Sequence, residues 1–344
     1  MQAMSDTRPS GGEGDGAAEL LASARARLSA AAVDLALPSR LRLSERDRAT
    51  VAALFAATVR ILEDDLRAFI LPRLGGEAIA ASLGSAGLAI ALPALEALGP
   101  AAVPGLLSLL LERAEEHRLA SPEPPLLAEL AGDEDEAVAA EAMRLLILQA
   151  SRLDAFQEPL VGRNDLSAEI LHALAWTAAA ALRAYAVERH GAEPAAADAA
   201  LTDAVALLLA GHDEGAGAAA CSRRLVSRLA AAGRLDDRTI VRILTEGTLP
   251  LLLAAVAARA GLDRAAAWEM LDEPSGRGAA LLLAAAGLSR DAAATLLLHL
   301  APSEARVAPQ LDLFDTLGPD EARRRLTPWR ADPAYRAAIA ELRA

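Results

Sequence analysis

Apolar residues of this chain return every three or four positions, the spacing of one α-helix face, and nowhere gather in the alternation of a strand, so the pattern predicts an all-α protein. The clearest stretch covers residues 235–300, where one short pattern is written twice and then begun again. Leu235-Asp236, Leu262-Asp263 and Leu288-Ser289 each open a copy, with a period of about 27 residues. The Asp or Ser can accept from the unpaired amides of a first helical turn, so a helix should start at each. Ile240, Val241, Ile243 and Leu244 in the first copy, and Trp268, Met270 and Leu271 in the second, mark one helical face. The first helices should end at Thr245-Glu246-Gly247 and Asp272-Glu273-Pro274, since Gly permits a left-handed turn and Pro cannot continue a helix. A second apolar run, at 251–255 or 281–285, closes at Gly261 or Gly287, with a short insertion near Ser275-Gly276-Arg277-Gly278. An upstream pair with a longer Gly-rich connector is expected from 201–210 and 218–232.

No pair of helices this short hides its apolar faces alone, so neighbouring pairs must supply the core. The expected architecture is therefore a right-handed α-solenoid of stacked helical hairpins, HEAT-like, over residues 76–344. A disordered tail at 1–16 and an N-terminal helical region at 17–75 precede it.

Within that first region, Ser44-Glu45-Arg46-Asp47 is a capping-box variant that introduces a helix to about Ile70. Val51, Leu54, Phe55, Val59, Leu62, Leu66 and Phe69 form its apolar stripe, and Arg60, Glu63, Asp64, Asp65 and Arg67 its charged face. The helix is a candidate dimerisation element, although packing within the chain is the simpler use of its stripe. Residues 78–95 and 97–111 carry no charge, which by length alone invites a membrane hairpin. Gly84, Gly87, Pro93, Pro100 and Pro104 break the stretch, and Ala stands where Leu and Phe would be, so short buried helices are expected instead. Pro122, Pro124 and Pro125 mark a linker, and helices are expected at 138–151 and 166–189.

Composition narrows the chemistry. Every one of the 34 basic residues is Arg, and net charge is −13, which repels nucleic acid and anionic membranes and favours a basic protein partner. The single cysteine, Cys221, excludes an internal disulfide and reads as a small buried residue in a cytoplasmic protein. Gly12-Glu13-Gly14-Asp15-Gly16 has no preceding strand and is no phosphate loop. Asp133-Glu134-Asp135-Glu136 lacks the spacing of a calcium loop and should complement the positive end of the helix it precedes. His172 and Trp176 are four apart and share a face, whereas His190 lies five turns away, roughly 27 Å by helical rise. His117, His212 and His299 are scattered, so no zinc site is expected. Arg323, Arg324 and Arg325, beside Trp329 and Arg330, should form a solvated face paired with surrounding acids.

Ser222-Arg223-Arg224-Leu225-Val226-Ser227-Arg228-Leu229, then Gly233-Arg234-Leu235-Asp236 and Glu246-Gly247-Thr248-Leu249, resemble segments of an uncharacterised bacterial family, domain of unknown function 2336, known mostly from alphaproteobacteria. Val161-Gly162-Arg163-Asn164-Asp165-Leu166-Ser167 is similar to another of its recurring segments, and the likeness spans roughly residues 126–300. Where that family tends to have an aromatic after the Gly-x-Leu step, this chain has Pro250-Leu251-Leu252. The resemblance implies no catalytic, cofactor-binding or metal-ligating residue and no cofactor. The expected function is a non-enzymatic interaction scaffold or regulatory helical-repeat protein whose partner is a protein, with a homodimer through the N-terminal helices as one form. The alternative is an enzyme or small-ligand binder with a site between helices near His172 and Trp176.

Overall fold

The computed structural model of the chain describes residues 42–73, 77–85, 87–120, 125–300 and 307–342. The tail expected at 1–16, the helix expected after it and the prolines at 122 and 124 lie outside the described residues. Those residues that are described are helical and contain no β-strand; their single β-bridge joins Leu153 to Pro159.

Helix α1 (Glu45–Ile70) carries the expected stripe, with Val51, Leu54, Phe55, Val59, Leu62 and Leu66 all buried. Its charged face departs from expectation, because Glu63 and Arg67 are 2% and 4% exposed. Both oxygens of Glu63 accept backbone amides, those of Ile90 and Ala91 at 2.9 Å, while Arg67 donates to Glu63, Ser85 and Leu88. A salt-bridged pair one helical turn apart thus fastens the loop that opens the next helices. The uncharged stretch breaks into α2 (Glu77–Leu83), α3 (Ala91–Leu98), a 3-10 turn at Pro100–Ala102 and α4 (Leu106–Leu119). Gly99 at φ 76° and Gly105 at φ 82° make the reversals, a conformation open to glycine at little cost.

The chain continues as α5 (Pro125–Ala131), α6 (Glu136–Ser151), α7 (Ala168–His190) and α8 (Pro194–Ala210). Asp135 caps α6 by accepting from Ala137 and Val138, and Asp133 binds the amide of Asp135, so two of the four acids serve the helix start as expected. Helix α7 is long and apolar enough to cross a membrane by length and composition. Its Ile170, Leu171, Leu174, Ala178 and Leu182 are buried in the protein instead, on the side that meets α1, α3 and α8.

Then come α9 (Ala218–Ala231), α10 (Asp237–Glu246), α11 (Leu249–Ala260), α12 (Arg264–Leu271), α13 (Arg277–Ala285), α14 (Arg290–Leu300), α15 (Val307–Thr316), α16 (Pro319–Arg325) and α17 (Pro333–Glu341). The three Leu-led starts behave alike. Asp236 accepts from Thr239 at 2.8 Å, Asp263 from Ala266 at 2.7 Å and Ser289 from Ala292 at 3.4 Å. Leu235, Leu262 and Leu288 all pack on one core. Gly261 and Gly287 close their helices at φ 69° and 67°. Gly247 ends α10 differently, at φ −120°, where a Cβ would stand 2.5 Å from the Ile243 carbonyl oxygen. Close approach, not handedness, requires glycine there.

Residues 45–344 form one compact unit that contains two apolar cores. One core gathers α1 to α4 with α7 and α8; the other gathers α5 and α6 with α9 to α16. The first crosses the boundary expected at residue 75, since α1 packs on α3, α4, α7 and α8. The expected upstream pair is divided, with α8 in one core and α9 in the other. Helix α11 lies at the centre of the second core and is buried on nearly every side. Around it α10 touches α14 across the intervening pair, a contact that an open array with nearest-neighbour contacts alone would lack.

Candidate functional site: a stapled loop between two clefts

The chain passes between the two cores several times, and the passage from α6 to α7, residues 152–167, carries buried charge. Arg152, 5% exposed, ends α6 and donates from Nη1 to Glu116 Oε1 at 2.7 Å, with its Nε 3.0 Å from Asp165 Oδ2. Arg113, on α4 one turn before Glu116, donates to the carbonyls of Leu160 at 2.9 Å and Arg152 at 2.7 Å. Asp165 accepts from the amide of Ala218 at 2.8 Å and so serves the first turn of α9. Gly217 is needed beside it, because a Cβ would stand 2.3 Å from the Asn164 carbonyl oxygen.

Two arginines and two carboxylates thus meet out of water, balanced in charge. Burial disfavours the Arg152 cation, yet Glu116 and Asp165 outweigh that cost and hold its pKa above the ordinary arginine value. For Arg113 burial prevails over Glu116 and lowers the pKa. Each bond ties a different element, so the group staples α4, α6, the loop and α9 together, and Arg163 adds an outer tie to Asp65 of α1 at 3.3 Å. The recurring segment Val161 to Ser167 therefore works as an internal fastener. Leu166 enters one core and Asp165 reaches α9 of the other.

The loop separates two clefts. One, of about 370 Å³, lies between α4, α6 and the junction of α10 with α11, with Glu116, Gln149 and Gln157 among its polar wall. Gln157 holds φ 65°, a left-handed conformation unusual for a residue with a side chain, and is fixed by Asp154, which accepts from Phe156 at 2.7 Å and Glu158 at 2.9 Å. That turn displays Phe156, which is 85% exposed. The other cleft, of about 560 Å³, lies between residues 164–167, the turn at 214–217, α9, α11 and the start of α12.

The residues singled out in the sequence fall elsewhere. Trp176 Nε1 donates to His172 Nε2 at 3.1 Å, so the pair shares a face as expected, but both are exposed and neither lines a described cleft. His190 meets Tyr185 edge-on, with ring centroids 5.2 Å apart. Among the described residues no group of three His, Cys, Asp or Glu side chains could hold a metal ion. Cys221 is buried, and burial pushes its thiol up despite the nearby Arg224. Arg324 and Arg325 both pair with Glu321, and Arg323 pairs with Asp320 and donates to the Ala285 carbonyl, which matches the expected paired face.

Fold and loop together describe an all-helical protein in which two interleaved cores are joined by a buried ionic staple. A family profile described as an uncharacterised protein conserved in bacteria (DUF2336) matches residues 118–327, and the chain belongs to that family. The staple straddles the edge of the match, with Arg152 and Asp165 inside it and Arg113 and Glu116 just before it. No curated protein and no solved structure matches the chain.

Proposed function

We propose that the chain is a non-enzymatic protein-interaction scaffold of the helical-repeat kind, acting in the cytoplasm. The observation that carries this reading is Phe156, an aromatic in a chain with 3% aromatics, held 85% exposed on a turn that is fixed from behind. Met143 and Ile147 of α6, the helix leading into that turn, are also 47% and 64% exposed. Large apolar side chains on ordered backbone are what a partner's pocket grips, because little entropy is lost when they dock. A net charge of −13 favours a basic partner over nucleic acid or anionic membrane.

The repeat reading is supported by the order of packing, with α11 on α13 and α13 on α15, as successive second helices of a HEAT-like array would lie. The α10 to α14 contact makes the proposed right-handed array a tightly curled one. Affinity capture from lysate with the wild-type chain, Phe156→Asp and an exposed control, Arg189→Ala, tests the function. A specific partner lost only with Phe156→Asp is expected, with circular dichroism unchanged. A partner set indifferent to Phe156, or none in repeated captures, contradicts the proposal.

A further inference from the structure

The larger cleft, about 560 Å³ between α9, α11, α12 and the stapled loop, mixes charges, so the ligand it suits depends on which of them are already satisfied. Its acids are. Asp165 serves Arg152 and the amide of Ala218, Glu214 accepts from the amide of Ala168, and Asp263 accepts from Ala266 with Arg336 3.6 Å away. Its cations keep donors to spare. Arg223 is exposed and makes no hydrogen bond or ion pair among the described residues. Arg264 reaches Glu112 with Nη2, but its Nε is buried without an acceptor. Burial also pushes Arg264 down to about 10. The opposite wall is Ala254, Ala257 and Ala258, small side chains that leave room for more than an ion.

The geometry points to an anion site in this cleft, where Arg223 and Arg264 take the phosphate group of a phosphorylated molecule whose uncharged remainder lies along the alanine wall of α11. The site is separate from the turn of Phe156 and stands independently of the interaction reading. Two sources carry this chemistry, a small phosphorylated metabolite and a phosphorylated segment of a protein.

Calorimetric titration of the full chain with inorganic phosphate, AMP and a phosphoserine heptapeptide tests the site, alongside Arg223→Ala, Arg264→Gln and, as a control, Arg238→Ala. Saturable binding of at least one probe is expected, weakened about ten- to a hundredfold by Arg223→Ala and left alone by Arg238→Ala. AMP binding more tightly than the peptide assigns a metabolite, and the reverse order assigns a phosphoprotein. Arg223 is exposed, so its variant folds and keeps the test decisive even if Arg264→Gln does not. No heat with any probe, or affinity that ignores Arg223→Ala, overturns the proposal.

Discussion

Replacing Asp165 with Ala removes two bonds at once, the pairing with Arg152 and the acceptor for the Ala218 amide. Arg152 and Asp165 have side chains 6% and 8% exposed, so water cannot stand in for the lost partner. Deleting one member of a buried ion pair costs about 3–5 kcal/mol, chiefly because the other charge is left uncompensated. Glu116 still faces Arg152, which places the expected loss near the lower end, about 3 kcal/mol. Against the roughly 5–15 kcal/mol that holds a typical folded protein together, that is a large fraction. Asp165→Asn keeps an oxygen for Ala218 and loses only the charge, so about half the effect is expected. Urea unfolding followed by circular dichroism measures both, with Asp198→Ala as a control, because Asp198 and Arg183 pair in the open and should leave the midpoint unmoved. A loss below about 1 kcal/mol for Asp165→Ala, the size of an exposed ion pair, would refute the staple.

Three further outcomes follow from the same geometry. Arg259 donates to the carbonyls of Ala286 and Gly287 and to Asp237, which in turn accepts from Ser289, so Arg259→Ala should cost about 2 kcal/mol in the same urea assay. Burial, aided by Glu115 and Asp47, raises the Asp272 carboxyl to about 6, above its unfolded value of 3.8. The folded chain therefore binds that proton more tightly, and stability falls as pH rises from about 4 to about 6. Asp272→Asn should raise the melting temperature at neutral pH and not at pH near 4; equal shifts at both would contradict the assignment. The Cys221 thiol, buried and pushed up, should react slowly with a disulfide reagent in the folded chain and rapidly in urea, and equal rates would mean that it is accessible.

Much of the helical order was legible because it rests on local signals. Asp236, Asp263 and Ser289 announce helix starts through their own oxygens, Gly261 and Gly287 announce ends through positive φ, and the Val51 to Leu66 stripe needs only its spacing. What the sequence concealed was long-range. Nothing local distinguishes Glu63 and Arg67, buried around a loop more than twenty residues on, from the exposed charges beside them. Arg113 and Glu116 likewise read as one more pair on a helix face, and only the fold brings Arg152 and Asp165 to them. Asp165 carried a faint signal in the recurring Val161 to Ser167 segment, which gave a position without a partner. The division of α8 and α9 between cores was equally hidden, since both helices are apolar and nothing in either names its neighbour.

The two cores, interleaved along the chain and stapled at the α6 to α7 passage, should behave as one cooperative body. Hydrogen exchange by mass spectrometry on the wild-type chain and Asp165→Ala tests this directly. The variant is expected to lose protection in α1 and α7 of one core and in α9 and α11 of the other, by similar amounts. Loss confined to one core, with the other as protected as before, would contradict it.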